Sequence, residues 1–411
     1  MKIPLRFLFL FQLTALFFLT PALSFAQMEW ICATDSAGWE GRYGHSSVIF
    51  NGKIWILGGM YNGFLGDIWY SNDGVNWLQA IDSAPWSWRV GHTSIVFDNK
   101  IWVLGGYDRD SVRNDVWYSS DGTNWVKTTD SAEWSPRCGH SSVVFDGKIW
   151  VIGGAGENPP PKNDVWYSVD GINWVLATNS AGWSPRLFQT SVVFNNKIWV
   201  LGGQVDEFVY SNDVWYSSDG VNWTQATPSA GWSPRYGHTS VVFDNKIWVL
   251  GGSVEDDSHR KNDVWYSADG VNWTQATDSA EWIDRVNHSS VVLNNRIWVL
   301  GGEPVEGFLN DVWYSRGLGI EEERTTLDSS NLTPEIYPNP ARSYLAIRLP
   351  PTADRQELKI FDVSGKVVRE IATSATQSRN DNEVKISLKG INPGIYFLRV
   401  GNENKKLLVV Q

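Results

Sequence analysis

The sequence predicts an all-β chain organised around a six-bladed β-propeller, and three observations carry that reading. Double glycines recur at Gly58-Gly59, Gly105-Gly106, Gly153-Gly154, Gly202-Gly203, Gly251-Gly252 and Gly301-Gly302, with spacings of 47, 48, 49, 49 and 50 residues. A period of that length, filled with β-branched and aromatic runs between turn residues, marks a propeller blade rather than a helical repeat. The chain of 411 residues holds 25 Trp, all between Trp30 and Trp313, so its two ends are built differently from its middle. The third observation is constant spacing. The Arg opening each copy precedes the first glycine by 16 residues in all six, and the Asp of each Asp-Val-Trp or Asp-Ile-Trp run precedes the next Arg by 22 in all five cases.

Residues 1–26 carry Lys2 and Arg6, an apolar run, and Ser24-Phe25-Ala26. This is the pattern of a secretory signal cleaved before Gln27, and no later run is long enough to span a membrane. Residues 27–315 form the propeller. In the copy from Arg235, strand a runs over Thr239–Phe243 and strand b over Lys246–Leu250, joined by the two-residue turn Asp244-Asn245. Strand c follows at Asp263–Ser267 and strand d at Asn272–Ala276. The variable connection lies between b and c, from 7 residues (Met60–Gly66) to 10 (Ser253–Asn262). Variable loops mark the face on which function is grafted.

The sixth copy stops at Tyr314-Ser315 without a d strand, and Glu29–Trp39 matches the d strand and following loop of the other copies. The N-terminal strand is therefore expected to complete the last blade and close the ring, which removes the open sheet edges. Residues 316–333 read as a polar linker. Residues 334–411 show short strand-like runs at Tyr344–Leu349, Leu358–Val363, Val367–Ile371, Val384–Leu388, Ile395–Val400 and Leu407–Val410, spaced as in a small Ig-like β-sandwich.

Charge is divided. Residues 27–315 carry 18 Lys and Arg against 33 Asp and Glu, net −15, whereas residues 334–411 carry 12 against 8, net +4. An acidic body repels phosphate backbones, which argues against nucleic acid as a partner. Two cysteines, Cys32 and Cys138, exclude a disulfide-stapled fold.

The GG pair after strand b, the aromatic residues of strands b and c, and the Arg-x-Gly-His opening resemble kelch repeats across residues 29–315. The Ser-x-Asp-Gly-x-Asn-Trp hairpins, as at Ser71–Trp77, also resemble the Asp-box of sialidase-type propellers, one residue short of its usual spacing. In the tail, Tyr337-Pro338-Asn339-Pro340-Ala341, Ile360–Val368 and Pro393–Val400 resemble the C-terminal sorting domain of type IX secretion substrates. That resemblance implies export across a Gram-negative outer membrane, handling by the type IX machinery through residues 334–411, removal of the domain, and release or attachment at the cell surface. The alternative for the tail is a carbohydrate-binding or adhesive sandwich retained in the mature protein.

Five copies place a His three residues after the Arg (His45, His92, His140, His238 and His288), with Gln189 in the fourth. A residue needed in nearly every blade is expected to be a hydrogen-bonding device at the mouth of strand a rather than a metal ligand. Some kelch proteins are copper oxidases, but that chemistry needs a Cys-Tyr cofactor that neither Cys32 nor Cys138 is placed to supply. No nucleophile elbow, HExxH helix or P-loop occurs, so no catalytic residue, metal or cofactor is assigned. The triplets at Asp35, Asp82, Asp130 and Asp278, each Asp-Ser-Ala, read as Asp-capped turns and also resemble bacterial O-glycosylation acceptors.

The loop tryptophans Trp39, Trp86, Trp134, Trp183, Trp232 and Trp282 are expected to stack on the repeat arginines as a structural clasp in each blade. The candidate ligand residues are those that break the repeat: Trp88, Tyr61, Phe64, Tyr107, Arg109, Arg113, Phe208, Tyr210, His259, Arg260 and Phe308. Around them lie the acidic Asp108, Asp206, Glu207, Glu255, Asp256, Asp257 and Glu306, and Glu255–Asp257 is a weak calcium candidate. The reading taken is an exported binding module for glycan or protein on the variable-loop face. The alternative is a carbohydrate-active enzyme on the same ring, a sugar mutarotase-like isomerase or a glycan hydrolase.

Overall fold

The computed structural model describes residues 28–157, 160–255 and 259–316 and, in the tail, chiefly strand segments between 335 and 409. The expected signal segment, the linker, and Asp256 and Asp257 lie outside the described residues. Six antiparallel sheets follow one another, each ordered a-b-c-d, with a short extra strand, Arg89–Val90, beside strand b of blade 2. Blade 1 is Ser46–Phe50, Lys53–Met60, Phe64–Ser71 and Leu78–Ile81. The a strands adjoin one another around the axis, and the fourth strand of each sheet is its outer edge. Blade 6 is Ser289–Leu293, Arg296–Gly302 and Leu309–Ser315 with Trp30–Thr34 as its d strand, paired Trp30 to Ser315 and Ile31 to Tyr314. The expected closure is what the structure has.

The a to b turns put Asp244 and Asn245 at φ 49° and 53°, the left-handed pair that a two-residue hairpin demands, and Asn, Asp or Gly fills these positions in the other blades. Strand b is buried along its length because it lies inside a sheet flanked by two neighbours; Ile54, Ile56 and Leu57 have no exposed surface. The variable connections are shorter than the sequence suggested. Strands b and c run on past the glycines as a hairpin, to Val254 and from His259 in blade 5, with a register shift between Leu250 and Gly252. In blade 6 strand b stops at the second glycine, Gly302, and in blade 3 the strands stop short of the glycines altogether, b ending at Ile152 and c starting at Val165. The three prolines at 159–161 cannot donate to such a ladder.

One arrangement recurs in every blade. Arg42 is fully buried; its Nη1 donates to Gly58 O at 2.9 Å and to Asp67 Oδ1 at 2.7 Å, and its Nη2 donates to Asp67 Oδ2 at 2.8 Å. The guanidinium also lies 5.6 Å from the ring centre of Trp39, which meets Trp77 of strand d edge-on at 5.8 Å. The same set is built at Arg89, Arg137, Arg186, Arg235 and Arg285 with Asp115, Asp164, Asp213, Asp263 and Asp311. Burial works to raise the carboxyls of Asp115, Asp164, Asp213 and Asp263, but the arginine bonds overcome it and hold them below the usual range.

The histidines join neighbouring blades. His92 Nε2 lies 2.8 Å from Ser46 Oγ of the preceding blade, and His140, His238, His288 and His45 meet Thr93, Thr190, Thr239 and Ser289 in the same way. Gln189 takes the place in blade 4 by donating to Ile152 O at 2.8 Å. In the c to d turns, Asp73 accepts from the amides of Val75 and Asn76, and Gly74 has no room for a side chain because Trp298 of blade 6 lies on it. The Asp-Ser-Ala turns are capped differently from expectation. The Ser36, Ser131 and Ser279 amides donate to the hydroxyls of Thr34, Thr129 and Thr277, leaving the aspartates outside the cap.

The tail forms a separate unit; its described residues include seven strands in two antiparallel sheets, one of three (Glu335–Tyr337, Tyr344–Arg348, Glu383–Ser387) and one of four (Leu358–Asp362, Val367–Ile371, Gly394–Val400, Glu403–Val409). Among the described residues no helix is long and apolar enough to cross a membrane.

Two outcomes follow. Deleting residues 27–35 opens blade 6 and removes Trp30 from its buried site, so the thermal unfolding midpoint should drop sharply; a deletion that melts like the parent would contradict ring closure. Burial, reinforced by the adjacent arginine charge, pushes His45, His92, His140 and His238 from 6.5 down to about 3. The unfolded chain therefore binds more protons below pH 6.5, and stability present at neutral pH is lost as pH falls from 6.5 toward 3. The turn carboxylates Asp73, Asp219 and Asp269, held at about 2, lose their contribution only at lower pH, through the window between 3.8 and about 2. His140→Gln, which copies blade 4, is expected to fold and to flatten the decline of Tm between pH 6.5 and 4, read by calorimetry across that range.

Candidate functional site

The d to a and b to c connections share one face of the ring, and five of the six loop tryptophans that crowd it show 1% of their surface and the sixth none. With the arginines stacked on them, these residues are blade packing, as expected of a set present in every copy. Trp88 is different, with 53% of its surface exposed.

The reason lies in two coupled departures from the repeat. In blade 2 Asn114, just before the Asp-Val-Trp run, donates to Ser131 Oγ and to the carbonyls of Ala132 and Trp134, tying down the d to a loop. Asn163, Asn212, Asn262 and Asn310 do the same in their blades. Blade 1 has Gly66 instead. Trp88 lies where the missing side chain would be, so close that a Cβ on Gly66 would fall 2.0 Å from the indole. Its Nε1 donates to Ser83 Oγ at 2.9 Å, replacing the Asn-to-Ser bond of the other blades. Sequence reasoning found Trp88 and missed Gly66, although the Leu-Gly-Asp-Ile-Trp run that replaces Asn-Asp-Val-Trp was there to be read.

Trp88 thus forms one wall of a cleft of about 440 Å³ between blades 1 and 2, shared with Phe64, Ser87, Asp108, Arg109 and Asp110. Phe64 packs on Tyr107 with ring centres 5.7 Å apart. The floor is rigid. Asp108 is buried and accepts from the amides of Asp110 and Ser111 and from Arg113 Nε, and although burial works against it these bonds hold its carboxyl at about 2. Arg113 is thereby engaged in the floor, while Arg109 and Asp110 stand exposed at the rim.

The other candidates fall in separate places. Tyr61 and Phe308 come together across blades 1 and 6 with Tyr43, which stacks on Phe308 at 5.4 Å. Arg260 ties blade 5 to Glu303 of blade 6, and His259 is exposed beside it. Phe208 sits at the tip of the blade 4 hairpin, 60% exposed and at φ 56°, with Asp206 and Glu207 before it. Tyr210 packs on Tyr236 at 4.8 Å, and Tyr236 on Phe188 at 5.9 Å.

At the axis, one residue per blade closes a circle of backbone bonds. The amide of Gly44 donates to Asn287 O, Gly91 to Gly44, Gly139 to Gly91, Phe188 to Gly139, Gly237 to Phe188 and Asn287 to Gly237, all at 2.7–3.1 Å. All six residues have φ between 53° and 63°. Glycine adopts that geometry freely and Asn tolerates it; a bulky side chain there costs about 1–2 kcal/mol. Two cavities lie on the axis: one of about 130 Å³, lined by the circle residues, Phe188 and Asn287 among them, and by the His and Gln ring, and one of about 220 Å³, lined by that ring and by Ser and Thr of the a strands. Among the described residues no group of three or more His, Cys, Asp or Glu is placed to hold a metal ion. Cys32 is exposed on the outer strand of blade 6, whereas burial pushes the Cys138 thiol up to about 11.

Comparison with known proteins places this architecture. Residues 20–203 and 188–317 match the family model of the KLHDC2/KLHL20/DRC7 Kelch-repeats domain, and residues 335–411 match the Secretion system C-terminal sorting domain. The solved structure of YjhT is similar at a TM-score of 0.57 and 16% identity, over 68% of this chain and 96% of that one, a likeness of fold alone. The curated protein sequences give no match. The chain belongs to the kelch-repeat family, as a six-bladed propeller followed by a type IX secretion sorting domain.

Proposed function

We propose that the protein is delivered to the cell surface or its surroundings and there binds glycan, with one sugar ring stacked on Trp88. The coupled replacement of Asn by Gly66 and the arrival of Trp88 carry this reading: a repeat whose other tryptophans are all buried or partly buried gives up a structural tie to expose one. A flat indole beside a carboxylate, a guanidinium and a hydroxyl suits a pyranose, whose apolar face stacks and whose hydroxyls need donors and acceptors. The net charge of −15 over residues 27–315 favours a neutral glycan over an acidic one.

The full mature chain should be retarded in native gels containing a neutral polysaccharide from the set xylan, mannan and dextran, and not by hyaluronan. Trp88→Ala should weaken the retained interaction about tenfold or more, the range expected for loss of one aromatic stack. The double variant Gly66→Asn, Trp88→Pro, which restores the repeat, should lose binding equally while keeping the parent Tm. Parent and variants behaving alike would overturn the reading, as would a parent that none of the three polysaccharides retards.

A further inference from the structure

Blade 4 departs from the repeat at two consecutive positions, Phe188 and Gln189, where the other copies have Gly or Asn followed by His. Gln189 is a neutral exchange, since its amide reaches across to the preceding blade as the histidines do. Phe188 is not. It is the one bulky residue in the circle of left-handed residues at the axis, at φ 53°. Strain kept at a position where glycine serves the fold equally well points to a use for the side chain. The phenyl ring lies over Gly139, which has no side chain to displace it, and continues outward through Tyr236 to Tyr210 at centre distances of 5.9 and 4.8 Å. None of the three is buried as the core aromatics are. They form a partly open aromatic ridge from the axis across blades 4 and 5, on the face that carries the Trp88 cleft. Blades 1 and 2 stand opposite blades 4 and 5 in a closed ring of six.

We infer that Phe188, Tyr236 and Tyr210 are a second stacking subsite for the same neutral glycan, so that an extended chain lies across the axis and is held on both sides. This rests on the reading that Trp88 takes a sugar ring. Between the two sites the chain crosses the axial circle, four of whose six residues are glycines without side chains. A ligand long enough to reach both gains from the second contact without a second association event; a short one does not.

The test compares polymer with trisaccharide on the full mature chain, using xylan, mannan and dextran alongside xylotriose, mannotriose and isomaltotriose. Phe188→Gly should weaken binding of the retained polymer about tenfold, the order of one lost aromatic contact, and leave its trisaccharide unchanged. Trp88→Ala should weaken both. The Tm of Phe188→Gly should equal or exceed that of the parent, because relief of strain offsets the lost contact. Phe188→Asn, also at home in this backbone region, should give the same pattern. The inference is overturned if Phe188→Gly binds polymer as the parent does, or if its Tm falls by more than about 5 °C, a loss that would make Phe188 a packing residue. A parent that binds no polysaccharide removes the Trp88 reading itself, a result distinct from either.

Discussion

A guanidinium without solvent contact opens every blade, and the rest of the ring is arranged so that its charge is never uncompensated. A buried ion is tolerated only when it is paired and its remaining donors are satisfied. Each arginine meets both demands with one aspartate of strand c, one glycine carbonyl of strand b and the carbonyl two residues before it, as at Glu40 O. The arginine side chain has one length, so the distances along the chain to these partners cannot drift. From Arg to glycine and from Asp to the next Arg the count is constant, and only the segment between glycine and aspartate is free to change. The same interaction that stabilises a blade thus decides where the chain is able to diversify.

Diversity is accordingly local and readable. Where all six blades agree, the residues are packing devices, including the tryptophan and arginine pairs that would look like a ligand platform if judged by residue type alone. Where one blade departs, the departure is either repaired or left open. Gln189 is a repair, since it makes a hydrogen bond to the preceding blade as a histidine does elsewhere. Gly66 with Trp88 is a repair that exposes something, because the indole restores the lost hydrogen bond and presents its face to solvent. Phe188 is no repair at all.

Much of this was legible before any coordinates. Period, strand order, hairpin turns and the transfer of the last strand to the N-terminus follow from glycine spacing and from the missing d strand of the sixth copy. The role of the histidines as hydrogen-bonding links was also readable from their recurrence. The extent of strands b and c was not, because the residues after the double glycine look like loop in composition and pair only through a bulge after it. The Thr caps of the d to a turns were missed because Asp is the commoner capping residue. Within the site, the structure brings Trp88, Phe64 and Arg109 to one cleft, with Tyr107 packed on Phe64. Tyr43, Phe188 and Tyr236 escaped because they lie in the constant-length opening of the copy rather than in the variable loops, although Phe188 stands in the sequence as a departure from Gly or Asn, and their significance depends on which neighbour each ring meets. Arg113 and Arg260 look like ligand contacts in sequence, yet each forms an ion pair within the protein.

The two ends of the propeller meet in blade 6, where the Arg316 amide donates to Glu29 O and its side chain pairs with the Glu29 carboxylate, 287 positions apart in the chain. Strand d of that blade is made first and strand c last, and the sorting domain is made immediately afterwards. A chain broken off before Leu309–Ser315 therefore keeps the strand that closes the ring but lacks the one it pairs with, and lacks the sorting domain as well. The N-terminal strand has no partner until strand c of blade 6 exists, so closure of the ring waits on the last part of the propeller to be synthesised.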